Sequence, residues 1–334
     1  MNRGGHDQGF ITAELRPGEP VAAALQGAVV AIGNFDGVHR GHQAVLCEAL
    51  EKGAELGCAT IVLTFEPHPR SFFKPAEPVF RLTPSPLRAT LLELAGCDGV
   101  VECTFDTDFA AQTASTFVER IVVEQLAARH VVTGHDFHFG KGRQGGPNFL
   151  ATAGDEAGFG VTLVEAFSDE NGDIVSSSRI RSALADGAVT LAAGLLGYRF
   201  QVQGTVIGGK QLGRTLGYPT ANMALPPEAT LAPGIYAVRF RRADGTLHDG
   251  VASYGYRPTV DSGGEALLET YVFDFSGDLY GETCSVTLFG YLRPEQKFDG
   301  LDALVVQMRR DEEEARALLA SVQPLGPLDK ALNF

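Results

Sequence analysis

The 334-residue chain has no stretch of about 18 apolar residues, so no membrane-spanning helix is expected. Its opening segment, MNRGGHDQGF, lacks the apolar core of a signal peptide; it reads as a frayed terminus, and a cytoplasmic location is expected. The five cysteines (Cys47, Cys58, Cys97, Cys103, Cys284) contain no C-x-x-C pair, which points to reduced, mostly buried thiols rather than a disulfide or zinc framework. Positive charge is also scarce. A formal net charge of −14 argues against a nucleic-acid partner, which would need a broad basic surface. A small phosphate-bearing ligand needs only a few local cations, and one such group exists. Arg129, His130, His135, His138, Lys141 and Arg143 face a single acid in that stretch, Asp136. No internal repeat or low-complexity tract is present, and the P-loop pattern G-x-x-x-x-G-K-[ST] is absent.

The length exceeds what one compact core usually holds, so two domains are expected. The 40 glycines suggest many turns and close backbone approaches. In the first half, strand-like runs (28–33, 59–65, 99–103, 130–134, 161–167) alternate with helix-like runs (41–56, 84–95, 113–128, 178–186). That alternation predicts a Rossmann-like α/β domain with a parallel sheet covered on both faces. From about Tyr198 the segments become short and β-like, separated by turns rich in Gly, Pro and Asp. They predict an all-β second domain, an antiparallel barrel. One amphipathic helix over 299–320 follows, with the acidic run Asp311–Glu314 read as its solvated face. The expected domains are 20–187 and 198–325, with 188–197 as a linker.

Two constellations carry chemistry. In GNFDGVHRGH (33–42), an apolar strand runs into a glycine-bearing turn and then a helix start. Free backbone N–H groups and the positive helix end make this a ready anion site. Gly33 and Gly37 permit the tight turn, and Gly41 and His42 stand at the helix start. His39 and His42, three apart, can face one side and donate to phosphate oxygens. A zinc reading finds no third ligand at convincing spacing. Asp36 either holds a ligand or shapes the turn. Asp136 and Phe137 follow a strand end, where ligands bind in α/β folds. Ser177 and Ser178 suit a helix N-cap, and Arg181 stands one turn inside that helix.

The second constellation is GTVIGGKQLGRTLGYPTAN (204–222). Gly204, Gly208, Gly209, Gly213 and Gly217 make a loop whose amides can wrap phosphates, with Lys210 inside it. Pro219 fixes the local backbone. Thr220 and Asn222 then present neutral oxygens on one face of an extended chain, a donor type that suits Mg²⁺ on a nucleotide.

The first constellation resembles the H-x-G-H signature of the nucleotidyltransferases. With Phe35 and Asp36 it is similar to the adenylyltransferase module of prokaryotic FAD synthetases. TFEPHP (64–69), TGHDFHFGKGRQGG (133–146) and SSSRIRSALADG (176–187) resemble that family's later segments, in order. The second constellation resembles the riboflavin kinase signature ending in P-T-A-N. SYGYRPTV (253–260), LLETYVFDFSGDLYG (267–281) and LRPEQKF (292–298) are similar to the segments that follow it.

The resemblance implies a six-stranded antiparallel β-barrel with a terminal helix after the nucleotidyltransferase domain. It implies phosphorylation of riboflavin to FMN by ATP in the C-terminal module, and adenylylation of FMN to FAD, with pyrophosphate released, in the N-terminal one. His39, His42 and Arg181 would stabilise the charge on the transferred nucleotidyl group. Gly33, Phe35, Asp36, Gly37, Gly41 and Ser177 would complete that ATP site. Glu269 matches the kinase family's catalytic base, and Gly208, Gly209, Lys210, Gly213, Gly217, Thr220 and Asn222 would hold its ATP. Thr220 and Asn222 would also hold Mg²⁺. Asp136, Phe137, Glu269 and Arg293 would contact flavins. Gly208 stands where family members often carry a basic residue, so one phosphate contact is either missing or supplied by Lys210. The implied ligands are riboflavin, FMN, FAD, ATP, ADP and pyrophosphate. No tightly bound redox cofactor, nucleic acid or membrane is implied, and a monomer or weak homo-oligomer is expected. Two alternatives stay open at this point: one live module only, or a flavin- or nucleotide-binding regulator without turnover.

Overall fold

The structure is a computed structural model that describes residues 9–208, 217–257 and 265–334. Its contacts divide the chain into two compact units, Met1–Val175 and Ser176–Phe334.

The first unit is built on a six-stranded parallel sheet. Its strands are β1 (Ile11–Leu15), β2 (Val29–Ile32), β3 (Thr60–Glu66), β4 (Gly99–Thr104), β5 (His130–Gly134) and β6 (Gly160–Val164). Their spatial order is β1-β4-β3-β2-β5-β6. Consecutive residues of β2 and β3 are buried, so both faces of the sheet are covered. One face carries Val30, Ile32, Ile61, Leu63, Val101 and Val131, packed with Phe117, Ile121 and Val122. The helix Arg40–Leu56 follows β2 and stops at Gly57, whose φ of 63° fits the expected glycine terminus. The order has one consequence for function. From β2 the chain steps outward through β3 to β4, then crosses back to β5 on the other side of β2. Between β2 and β5 the connections diverge, and ligands of open α/β sheets bind at that place, beyond the carboxyl ends of the strands.

Three details depart from the sequence expectation. β1 joins the sheet beside β4, with Ile11 paired to Gly99. A side chain at Gly99 would come within 2.7 Å of the Ile11 carbonyl, so the glycine permits the pairing. The expected helix 113–128 is one α-turn at Ala114–Thr116 followed by a π-helix, Phe117–Gln125. Its paired apolar residues (Phe117, Val118 and Ile121, Val122) serve the wider winding as well as an α-helix, so the pattern alone did not separate the two. The sixth strand ends at Val164, short of the expected 167.

The second unit is a six-stranded antiparallel sheet, β7 (Gln201–Thr205), β8 (Thr220–Ala224), β9 (Gly234–Arg241), β10 (Leu247–Arg257), β11 (Glu265–Val272) and β12 (Thr283–Arg293). Its order is β7-β12-β9-β10-β11-β8. Ile207 N donates to Asn222 O at 2.8 Å, nearly closing the two edges into a barrel. Tyr236, Val238, Ala252, Tyr254, Leu268 and Met223 alternate with the outward residues and are buried. The helix Leu301–Ser321 covers part of the outside through Ala315 and Leu319, against Ala237, Phe273 and Phe289. Gly290 lets it approach: a β-carbon there would lie 2.7 Å from Leu318 Cδ1.

Residues 188–197, expected as a linker, contain the helix Val189–Leu196. It and the helix Ser177–Ala185 count with the second unit by their contacts. The acidic run of the terminal helix is not wholly solvated. Asp311 is buried and takes a bidentate pair from Arg293, at 2.8 and 2.6 Å. A last helix, Pro327–Asn333, was not anticipated. Arg239 and Arg241 donate to the Asn333 and Leu332 carbonyls at its end, and Arg199 pairs with its buried Asp329.

Candidate active sites

The histidine loop leaves the carboxyl end of β2, next to β5, where the connections diverge. Thr133 Oγ1 donates to Ile32 O at 3.0 Å and ties the two strand ends together. Between Gly33 and His39 the backbone takes positive φ at Phe35 (47°), Gly37 (96°) and Val38 (36°). Only glycine does this freely; Phe35 and Val38 each store about 1–3 kcal/mol of backbone strain. Close packing also explains Gly33 and Gly41, whose β-carbons would stand 3.2 Å from the Phe35 and His39 rings.

His39 is the N-cap of the helix Arg40–Leu56. Its Nδ1 accepts from His42 N at 3.3 Å. That bond assigns the proton of a neutral ring to Nε2, which makes Nε2 the donor. The His42 ring stacks on His39 with centroids 3.7 Å apart and 16° between planes, and meets Phe35 at 5.1 Å. Burial, and then the neighbouring His39, pushes the His42 pKa well below the ordinary histidine value. At neutral pH the ring is therefore uncharged. Its Nδ1 is buried and has no hydrogen-bond partner among the described residues. Two stacked imidazoles at a helix start, the His42 ring uncharged, are arranged to donate to an anion.

Asp36 has a different surrounding. Its carboxylate is 1% exposed and turned toward residues 81–83. Oδ1 accepts from Thr83 N at 3.1 Å and from Arg81 Nε at 3.4 Å. These contacts join the turn to residues 81–83. Asp136 is exposed just past β5, and Phe137 is half-buried and stacks on Phe139 at 5.4 Å. The carbonyl of Asp136 accepts from His138 Nδ1 at 2.7 Å. Ser177 opens the helix Ser177–Ala185, but its N-cap is Ser176, whose hydroxyl accepts from Arg179 N at 3.3 Å. Arg181 stands half-buried on that helix.

In the second unit, strand register assembles the expected residues. Across the barrel's outer face, Arg293 of β12 pairs with Ile235 of β9, Ile235 with Ser253 of β10, Ser253 with Glu269 of β11, and Glu269 with Asn222 of β8. One step along, Tyr271 is paired with Thr220. Directly paired residues project on the same side of a sheet, with β-carbons about 4.5–5.5 Å apart. Glu269, Asn222 and Thr220 thus share one outward patch, although Glu269 is 47 residues from Asn222 in sequence. Asn222 is only 3% exposed, and its Oδ1 is buried without a hydrogen-bond partner among the described residues. A buried amide oxygen beside a hydroxyl is a hard, neutral donor set that fits a divalent cation. Tyr218 closes over this patch, edge-on to Tyr271 at 4.8 Å. Gly217 before it needs its positive φ of 86°. Gly208 is exposed; Gly209, Lys210 and Gly213 lie outside the described residues.

Arg293, expected at the flavin, has its guanidinium engaged by Asp311, with Nη1 on the Pro294 carbonyl at 3.0 Å. Sequence reasoning missed Arg81 and Thr83, which donate to Asp36, and Glu66, which pairs with Arg81. Nothing local signals them, because their partners are 15 to 48 residues away. Among the described residues no group of three His, Cys, Asp or Glu could hold a metal ion, and no helix is long and apolar enough to cross a membrane.

Comparisons with known proteins agree with this division. A family model described as FAD synthetase matches residues 21–179, and one described as riboflavin kinase matches residues 196–319. A bifunctional riboflavin kinase/FMN adenylyltransferase of Escherichia coli (strain K12) is 41% identical over 304 residues, 90% of this chain and 96% of that protein. Its namesake in Pseudomonas fluorescens is 43% identical over 298 residues, 88% and 94% of the two chains. A crystal structure from Streptococcus pneumoniae, described as a macrolide-efflux protein, is 32% identical with a TM-score of 0.82, covering 92% of this chain and 99% of that one.

Proposed function

Because the chain belongs to the family of bifunctional riboflavin kinase/FMN adenylyltransferases and makes FMN from riboflavin and FAD from FMN, we propose that the loop after β2 carries the adenylyl transfer and the outer barrel face around Glu269 carries the phosphoryl transfer. The functional division proposed is 20–187 for FAD formation and 198–325 for FMN formation, with 188–197 between them.

In the kinase reaction the ribityl 5′-hydroxyl oxygen bonds to the γ-phosphorus of ATP. The bond from that phosphorus to the β,γ-bridging oxygen breaks, and ADP leaves. Glu269 accepts the hydroxyl proton. Thr220 and Asn222 hold Mg²⁺ on the ATP phosphates, a role supported by the buried, unpartnered Oδ1 of Asn222. Bound there, the ion would draw negative charge from the phosphates. Gly208, Gly209, Lys210, Gly213 and Gly217 supply the flexible phosphate loop. Arg293 serves the flavin side indirectly, by holding the terminal helix beside the Glu269 row.

In the second reaction an FMN phosphate oxygen attacks the α-phosphorus of another ATP. The bond to the α,β-bridging oxygen breaks and pyrophosphate leaves. The nucleophile is already ionised, so this site needs positioning and charge stabilisation more than a base. His39 Nε2 and the His42 ring donate to the phosphates, Arg181 adds positive charge, and Ser177 and the amides from Gly33 to Gly41 complete the cradle. Asp136 and Phe137, at the neighbouring strand end, receive the flavin. A cytoplasmic location, no nucleic-acid partner and a monomer or weak homo-oligomer complete the proposal; the net charge of −14 supports the second of these.

The observation that carries the proposal is the cross-strand pairing of Glu269 with Asn222. Incubation with riboflavin, ATP and Mg²⁺ tests it, with flavins separated over time. Glu269→Gln should stop FMN formation by at least about 100-fold yet convert supplied FMN to FAD. His42→Ala should accumulate FMN and make little FAD. Unimpaired FMN formation by Glu269→Gln would remove Glu269 as the base.

A further inference from the structure

The histidine loop holds two non-glycine residues at positive φ, so something outside the loop must keep it there. Its backbone points to one short segment. Gly37 N donates to Thr83 Oγ1 at 2.8 Å, and Thr83 Oγ1 reaches the Phe35 carbonyl at 3.4 Å. Thr83 N donates to Asp36 Oδ1 at 3.1 Å. These three bonds clasp Phe35, Asp36 and Gly37, the stretch that begins at one strained residue and ends next to the other, Val38. Thr83 is fully buried, so the clasp is shielded from water.

The segment 81–83 is itself anchored through Arg81. Its Nε donates to Asp36 Oδ1 at 3.4 Å, and its Nη1 donates to both oxygens of Glu66 at 2.9 Å. Glu66 is the last residue of β3, so this guanidinium ties the loop to the sheet. Arg88, fully buried, extends the anchor: its Nη2 donates to Glu66 at 3.2 Å and to Glu102 of β4 at 2.6 Å. Ser85 Oγ also donates to Glu102, at 2.6 Å.

We infer that Arg81 and Thr83 are positioning residues for adenylyl transfer: they hold the Phe35–Gly37 turn, and through it the stacked His39 and His42, in the geometry that meets the phosphates. Neither touches the reacting atoms on this reading. Arg81 acts as the hub because it bridges the loop's buried carboxylate and the end of β3. The inference rests on the proposed role of the histidine loop.

The test uses the full chain and measures both activities on each variant. Arg81→Met removes the bridge, Thr83→Val removes the hydroxyl at nearly constant volume, and Thr83→Ser restores it. A displacement of about 1 Å at a reacting group can lower a rate by about 100-fold. Arg81→Met should therefore lower kcat for FMN adenylylation by roughly that factor, with KM for ATP changing far less, because the loss falls on the transition state. Thr83→Val should lower it by roughly tenfold. Thr83→Ser should recover most of that, and riboflavin phosphorylation should stay within twofold in all three. An unchanged kcat in Arg81→Met and Thr83→Val overturns the inference. So does a parallel fall in both activities, which would mark a role in general folding, and so does failure of Thr83→Ser to recover. If the unaltered protein itself made no FAD from FMN, the reading of the loop would fail first, and the two failures are thereby distinct.

Discussion

At the scale of single residues, His42 joins chemistry to stability. Burial and the stacked His39 ring disfavour its charged form, so its folded pKa lies well below the unfolded value of about 6.5. Above that value both states are neutral and the group adds no pH dependence. Below it the unfolded chain takes up a proton that the folded ring refuses, and stability falls as the pH falls. One proton of difference gives a slope of at most about 1.4 kcal/mol per pH unit. His42→Gln removes this term. Unliganded protein followed by thermal unfolding from pH 7 to pH 5 should therefore lose stability more steeply than the variant. Equal slopes would mean that the ring charges as readily in the fold as in water. The sequence exposed both histidines by their spacing from the glycines. It did not expose the neutral state of His42, which depends on burial that only the folded loop creates and on a ring stacked at 3.7 Å.

At the scale of elements, local pattern and long-range contact separate cleanly. Alternating strands and helices, and then short strands with Gly and Pro turns, were legible because each element's period is written within ten residues or so. The candidate sites were legible for the same reason, since each motif occupies one turn or one strand. What the pattern left out has partners far away in sequence: β1 against β4, Asp36 against Arg81, and Asp311 against Arg293. The last had a signal. Leu304, Met308, Ala315 and Leu318 form the apolar stripe of the helix Leu301–Ser321, and Asp311 stands on that stripe at spacings of three and four. A carboxylate there needs a buried cation, and Arg293 supplies one bidentately while Gln307 donates at 2.9 Å. Removing one partner of a buried pair strands the other, at about 3–5 kcal/mol. Asp311→Ala should lower the second unit's stability by roughly that amount and reduce FMN formation, leaving adenylylation of supplied FMN intact. Glu313, two residues on and exposed, belongs to the solvated face, and Glu313→Ala should shift stability by less than about 0.5 kcal/mol. Denaturant unfolding of the two variants decides; similar values would return Asp311 to the solvated face.

At the scale of the whole molecule, each unit has its own buried core, and the histidine loop and the Glu269 row belong to different units. The parallel sheet positions the histidine loop without help from the barrel's strands, and strand register alone assembles Glu269, Asn222 and Thr220. The two reactions share an intermediate, FMN, which is small and charged. A division of this kind predicts that one live site per molecule suffices. His42→Ala retains the barrel constellation, and Glu269→Gln retains the histidine loop. Mixed together with riboflavin, ATP and Mg²⁺, the two variants should form FAD after a lag in which FMN rises and then falls, while neither forms it alone. The lag should shorten as the concentration of Glu269→Gln is raised, because that variant captures FMN from solution. FMN accumulation in the mixture without FAD would show that the intermediate passes only within one chain, and the two units would then have to be treated as one device.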